Sequence, residues 1–438
     1  MRRTPAEDIV EFLSFSRDPC GRANDLKKLS LREWERVLSW LDDAGLALYF
    51  LQKLKNTNET DGVPAWVTSR LERNFAANQQ RVGDMSNRLG FLNKKLSDAG
   101  VRYAVLKGLS LVPQFCPDAT LRLQGDFDYL VDEQSLLAAQ RVLVEAGYNP
   151  KASLSSQEFI FVMPGTEEPS GSAEQYEARA PHAVELHLDI WDSELNRLPL
   201  LRSLFFVERA RTHHWNGFSF PALSDEDAFL LQVVHACNHF FNYWIRMSSL
   251  YEIGYFLNWR ASDTSLWDRI EQRVGDNLVL QELVVVVTEL VAKLFGAPLP
   301  PLVRVWGVRI RPASRVWIER YARDWAFCEL PIYQFRLFPR AKLVLFLHQQ
   351  YKDPCADRAL VRNRVFTFSR FSRIASSVKE KPSLMLEPAW WKRQLLIRRS
   401  LFHALAGLRY LCEIPRWRWL NRARMRSAYV DAGIAGKK

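Results

Sequence analysis

The chain has 438 residues, room for two or three domains of ordinary size, with 60 Lys and Arg against 49 Asp and Glu, a net charge of +11. Apolar residues make up 48% and charged ones 25%, which excludes a disordered or fibrous protein. Six cysteines (Cys20, Cys116, Cys237, Cys328, Cys355, Cys412) stand singly without a Cys-x-x-Cys pair, so neither a zinc ribbon nor a disulfide framework is indicated and reduced cytoplasmic thiols are expected. The charge is unevenly spread. Residues 301–438 hold 29 basic against 9 acidic residues, +20, and residues 1–300 carry −9. Such a basic third attracts polyanions: nucleic acid, an acidic lipid surface or an acidic partner.

In chain order, the opening MRRTPAEDIVEFLSF lacks the apolar core and small-residue cleavage site of a signal peptide. Residues 1–95 read as a helical region. Leu31, Trp34, Val37, Leu38 and Leu41 recur at helical spacing up to a stop at Gly45; 46–54 is a short apolar helix, and a polar one runs from Ser69 to Ala99. The period then changes. Val101 to Leu106 is a β-branched and aromatic run that enters a turn at Lys107-Gly108, and DFDYLV (126–131) is a second strand. Asp132 is placed to cap a helix with Leu136, Leu137, Ala139, Leu143 and Ala146 on one face, ended by Gly147. EFIFVMP (158–164) and AVELHLDI (183–190) read as strands, and the acidic Gly/Ser/Pro-bearing loop 165–180 between them reads as exposed. Helices follow at 225–241, 245–259, 265–274 and 277–295. The last is the most apolar stretch, but Glu282, Glu289 and Lys293 interrupt it, so it suits a buried helix and no transmembrane segment is expected. The rest is helical, with Arg and Trp interleaved.

Chemistry concentrates in Lys107-Gly108-Leu109-Ser110, Arg122 and Gly125-Asp126-Phe127-Asp128. Alternation along a strand puts Asp126 and Asp128 on one face, roughly 6–7 Å apart, and Phe127 on the other. Paired carboxylates suit a hard divalent cation such as Mg²⁺. Gly108, opening a helix, would offer backbone N–H groups to a phosphate at close approach. AVELHLDI supplies a third carboxylate, with Glu185, His187 and Asp189 on one face; Glu185 is preferred to Asp189.

These residues resemble a bacterial family of uncharacterised nucleotidyltransferases within the polymerase-β-like superfamily. The resemblance rests on Lys107-Gly108, Arg122, Gly125 to Val131, Glu185-Leu186-His187 and the spaced pair His235/His239, over about residues 30–300. Leu109 departs from the wider pattern by separating Gly108 from Ser110. The resemblance implies an α+β fold, a small mixed sheet of polymerase-β-like type embedded between helical segments. It implies domains at 1–95 (helical), 96–220 (nucleotidyltransferase core), 221–300 (helical) and 301–438 (basic, Arg/Trp-rich). It also implies two Mg²⁺ ions on Asp126, Asp128 and Glu185 and an NTP, ATP foremost, held by Lys107, Gly108, Ser110, Arg122, Gly125 and His187. The acceptor hydroxyl would belong to a peptide natural product, a sugar, a protein or an RNA end. His235 and His239 would face the cleft structurally, and Glu252 would line it. The rival reading is a catalytically degenerate relative whose arginine-rich third docks a polyanion.

Overall fold

Two helices begin on reciprocal caps. Thr4 and Glu7 form one at the start of α1 (Pro5–Phe12), and Ser30 and Glu33 the other at the start of α2 (Leu31–Ala44). Gly45 closes α2 in the left-handed region at φ +69°, where a side chain would also strike Ser248 and Arg246. There follow α3 (Ala47–Asn56) and the 34-residue α4 (Ala65–Asp98). In this computed structural model, residues 4–16, 26–153, 157–164, 174–177, 183–191, 207–242, 245–327, 340–351, 365 and 389–431 are described.

Seven strands form one mixed sheet: β1 (Tyr103–Val105), β2 (Asp126–Val131), β3 (Asn149–Lys151), β4 (Glu158–Val162), β5 (Ala183–His187), β6 (Arg211–Trp215) and β7 (Phe218–Ala222). Their order is β3-β4-β5-β2-β1-β7-β6. β2 runs parallel to β5 and β1 to β7, and the other neighbours are antiparallel. The protein is thus α+β, as expected. Phe127, Tyr129, Val184 and Leu186 alternate onto the buried apolar face, all at most 1% exposed. The helix α5 (Leu136–Glu145) packs against α4 and β3.

Several expectations are corrected. Asp132 accepts from the Ser135 amide at 2.7 Å, which closes the turn before α5 rather than capping the helix itself. In the stretch expected to be exposed, residues 174–177 are anchored: Tyr176 is 1% exposed and its hydroxyl donates to Asp42 Oδ1 at 2.9 Å. The remainder, 165–173 and 178–180, lies outside the described residues. β6 and β7 form a hairpin around Asn216-Gly217, both at positive φ, a two-residue turn signal the pattern reading passed over. His213 and His214, which read from the sequence as strand-end or loop residues without a functional role, lie on β6.

The helices continue as α6 (Asp225–Phe241), α7 (Met247–Arg260), α8 (Thr264–Val274) and α9 (Leu278–Phe295). Beyond them lie α10 (Pro301–Arg309), α11 (Pro312–Arg320), α12 (Ala322–Ala326), α13 (Val344–His348) and the 43-residue α14 (Ala389–Asp431). By compactness the chain forms two units. One comprises 1–235, 246–280 and 291–304 and holds the whole sheet; the other comprises 236–245, 281–290 and 305–438. In the second unit Trp317 and Trp325 donate to the carbonyls of Leu343 and Ala341, both at 3.0 Å, and Phe346 stacks on Trp417. No described helix is long and apolar enough to cross a membrane.

Candidate active site

The parallel register of β2 and β5 sets Asp128 directly opposite Glu185. Lys107, two residues past the end of β1, puts Nζ 2.9 Å from Asp128 Oδ1. The His187 ring lies between acids: Nε2 is 3.2 Å from Asp128 Oδ1 and 3.6 Å from Glu185 Oε2, and Nδ1 is 4.0 Å from Glu158 Oε1. Glu158 is the residue of β4 that pairs with His187 in register. Asp128 is only 2% exposed, so its carboxylate is held away from bulk solvent.

Burial and crowding divide the carboxylates. Burial alone would raise Asp128, but the Lys107 ammonium and the His187 ring outweigh it and hold the acid well below the usual carboxylate range. Burial also opposes the charge on Lys107, yet Asp128, Asp126 and Glu185 carry it above the ordinary lysine range. For Glu185 the balance goes the other way: burial, then Asp128 and Asp126, outweigh the pull of Lys107 and push it up to about 9. Asp126 is raised by burial and by Asp128. One ionised acid beside two reluctant ones is a site short of positive charge.

The chemistry of the donors fits a divalent cation. Asp128, Glu185 and His187 each offer an atom, all within 4.8 Å of one another. The carboxylate oxygens suit Mg²⁺ or Mn²⁺, and the imidazole suits the softer ions better than Mg²⁺. Asp126 stands outside this cluster, half-buried, with no ion pair within 4 Å among the described residues. A family model described as an uncharacterised nucleotidyltransferase matches residues 30–296. The chain belongs to that nucleotidyltransferase family. None of the curated proteins matches it.

For a nucleotidyltransferase, the expected glycine cradle is absent in the form foreseen. Gly108 does take φ +70°, but it opens a four-residue 3-10 turn rather than a helix, and a Cβ there would collide with the Gln124 carboxamide. The close approach is by Gln124, whose side chain donates to the Asp126 carbonyl at 2.7 Å. The Ser110 hydroxyl donates back to the Lys107 carbonyl at 3.1 Å, and Gly125 is exposed with open space beside it. Arg122 is gripped at Nε by Glu252 Oε1, 3.0 Å away, and the Tyr49 hydroxyl donates to the same oxygen at 3.0 Å. Asp189 lies beyond the end of β5 and accepts from the Trp191 amide at 3.1 Å. His235 and His239 sit one turn apart on α6, outside the clustered ligands.

Three groups escaped the sequence reading. Glu158 emerges only through strand register. Asn78 and Arg81 of α4 hold the 119–124 segment by its carbonyls: Asn78 donates to Thr120 and Arg122, Arg81 to Gln124. They explain why a helix so rich in Asn and Arg is half-buried, and they fix the chain entering β2. Arg246, directly before α7, reaches the neighbourhood of Arg122 and Asp126; its position just ahead of a helix was the available signal.

Proposed function

We propose that this protein transfers a nucleoside monophosphate from an NTP to an acceptor hydroxyl, with Mg²⁺ held by Asp128 and Glu185 and joined by Asp126. The supporting observation is the β2–β5 register that opposes Asp128 and Glu185, with Lys107 and His187 on the same Asp128 oxygen. A divalent cation bound there supplies charge neutralisation of the phosphates and activation of the attacking oxygen. The acceptor oxygen bonds to the α-phosphorus, the bond from that phosphorus to the bridging oxygen breaks, pyrophosphate leaves, and the hydroxyl proton passes to solvent.

Lys107 keeps Asp128 ionised and stands ready to turn to a phosphate oxygen. His187, held between Asp128, Glu185 and Glu158, orients both site carboxylates. ATP is the donor to try first, and peptide, sugar, protein and RNA acceptors are the classes to try. Incubation with each α-labelled NTP, Mg²⁺ and cell extract tests the reading. Transfer of label by the wild type and its loss in Asp128→Asn supports it; failure to bind or turn over any NTP refutes it.

A further inference from the structure

Arg246 is the N-cap residue of α7. The helix begins without a side-chain cap and without an acid in its first turn, and the Ser249 amide donates to the Arg246 carbonyl at 3.0 Å. The arginine stem crosses Gly45, where a Cβ would come within 2.8 Å of Nε. That Nε is buried without a hydrogen-bond partner, and Arg246 makes no ion pair within 4 Å among the described residues. Asp43, Asp126, Glu252 and Tyr176 lie within electrostatic reach, but so does a like charge, Arg122. Burial, then Arg122, lower the Arg246 guanidinium below its usual range. Among the described residues Arg122 is held through Nε, and its two terminal nitrogens make no hydrogen bond.

Two half-buried guanidinium groups within electrostatic reach of one another repel, and an anion bound to both would relieve that repulsion. An unpaired, partly desolvated guanidinium is costly, and the fold retains it where ligand phosphates would repay that cost. We propose that Arg246 and Arg122 together form the subsite for the β- and γ-phosphates of the donor, with Glu252 and Tyr49 setting the angle of the Arg122 fork. This rests on the nucleotidyl-transfer reading and adds a direction to it. Asp126 lies within electrostatic reach of Lys107, Arg122 and Arg246, whereas the His187 ring lies between Asp128, Glu185 and Glu158. The pyrophosphate therefore leaves on the Arg246 side, and the acceptor enters on the His187–Glu158 side.

The test is calorimetric titration of the full chain with inorganic tripolyphosphate in Mg²⁺, which removes the unknown base from the measurement. Arg246→Gln should weaken binding about 10–100-fold, the loss of one charged, desolvated hydrogen-bonding group. It should also leave the melting temperature of the ligand-free protein unchanged or raise it, because a repelled cation is removed. Arg246→Lys, which keeps the charge but not the fork, should fall between the two and decides by the same affinity if the Gln variant does not fold. Wild-type binding that neither variant weakens overturns the subsite alone. A wild type that binds neither tripolyphosphate nor any NTP overturns both this subsite and the proposed transfer.

Discussion

Asp126 and Asp128 stand two residues apart on one strand, yet their surroundings predict opposite responses to the same change. Asp128 is buried against Lys107 and His187. Asp128→Asn removes the carboxylate that Lys107 contacts at 2.9 Å and should destabilise the protein by roughly 3–5 kcal/mol as well as abolish transfer. Asp126 has no such partner, and its carboxyl is already raised by burial and by Asp128. Asp126→Asn should therefore abolish transfer while leaving metal-free stability unchanged or higher. Urea unfolding of the two variants separates these outcomes, and equal destabilisation would contradict the assigned pairing. The pH response follows from Glu185. With its carboxyl pushed up to about 9, the folded metal-free protein keeps a proton that the unfolded chain has released at lower pH. The contribution of Glu185 to stability is thus greatest below the ordinary glutamate range and is lost as pH rises towards 9. Melting in a chelator should fall between pH 6 and 9, and Glu185→Gln should flatten that fall. Parallel curves for wild type and variant would count against the assignment.

At the scale of elements, the turn after β1 is the most constrained piece of the site. Gly108→Ala must hold a side chain at φ +70° and push aside Gln124, which is itself tied to the Asp126 carbonyl. The expected cost is about 1–2 kcal/mol for the left-handed backbone alone, together with weaker metal binding because Asp126 moves. A melting temperature equal to wild type would show that the turn relaxes freely. The boundaries of β2, α6 and α9 were legible in the sequence because burial there follows a clean period within one short segment. Pairing was not. That Asp128 lies opposite Glu185, or that Glu158 meets His187, depends on register between strands far apart in sequence, which no local pattern encodes. β3 was missed because Asn-Pro-Lys is exposed and lacks β-branched residues. Arg246 was missed for a related reason: an arginine before a helix looks solvated until tertiary packing brings Arg122 and Asp126 to it. In place of the helix foreseen at Gly108 there is a four-residue 3-10 turn, with Gly108 itself at φ +70°, outside the right-handed helical region.

Across the whole molecule, the family match ends at residue 296, and the +20 charge of residues 301–438 lies beyond it. On α14, Arg416 and Arg424 pair only loosely, at 3.8 Å with Glu413 and 3.6 Å with Glu319, and are largely exposed. Arg418 and Arg422 are exposed as well. Exposed pairs of this kind contribute about 0–1 kcal/mol. Replacing all four by Ala should therefore shift the melting temperature little. If this surface binds a polyanion, the same variant should lose heparin affinity and its steep dependence on salt; a large drop in melting temperature with unchanged heparin binding would make these arginines structural. The central claim, transfer of a nucleoside monophosphate from the carboxylate site of β2 and β5, is tested most directly by comparing α- and γ-labelled ATP in extract with Mg²⁺. The account predicts that the α-label becomes attached to an acceptor, that the γ-label leaves as pyrophosphate, and that Asp128→Asn abolishes both; transfer of the γ-label to the acceptor, or α-transfer undiminished in that variant, would contradict it.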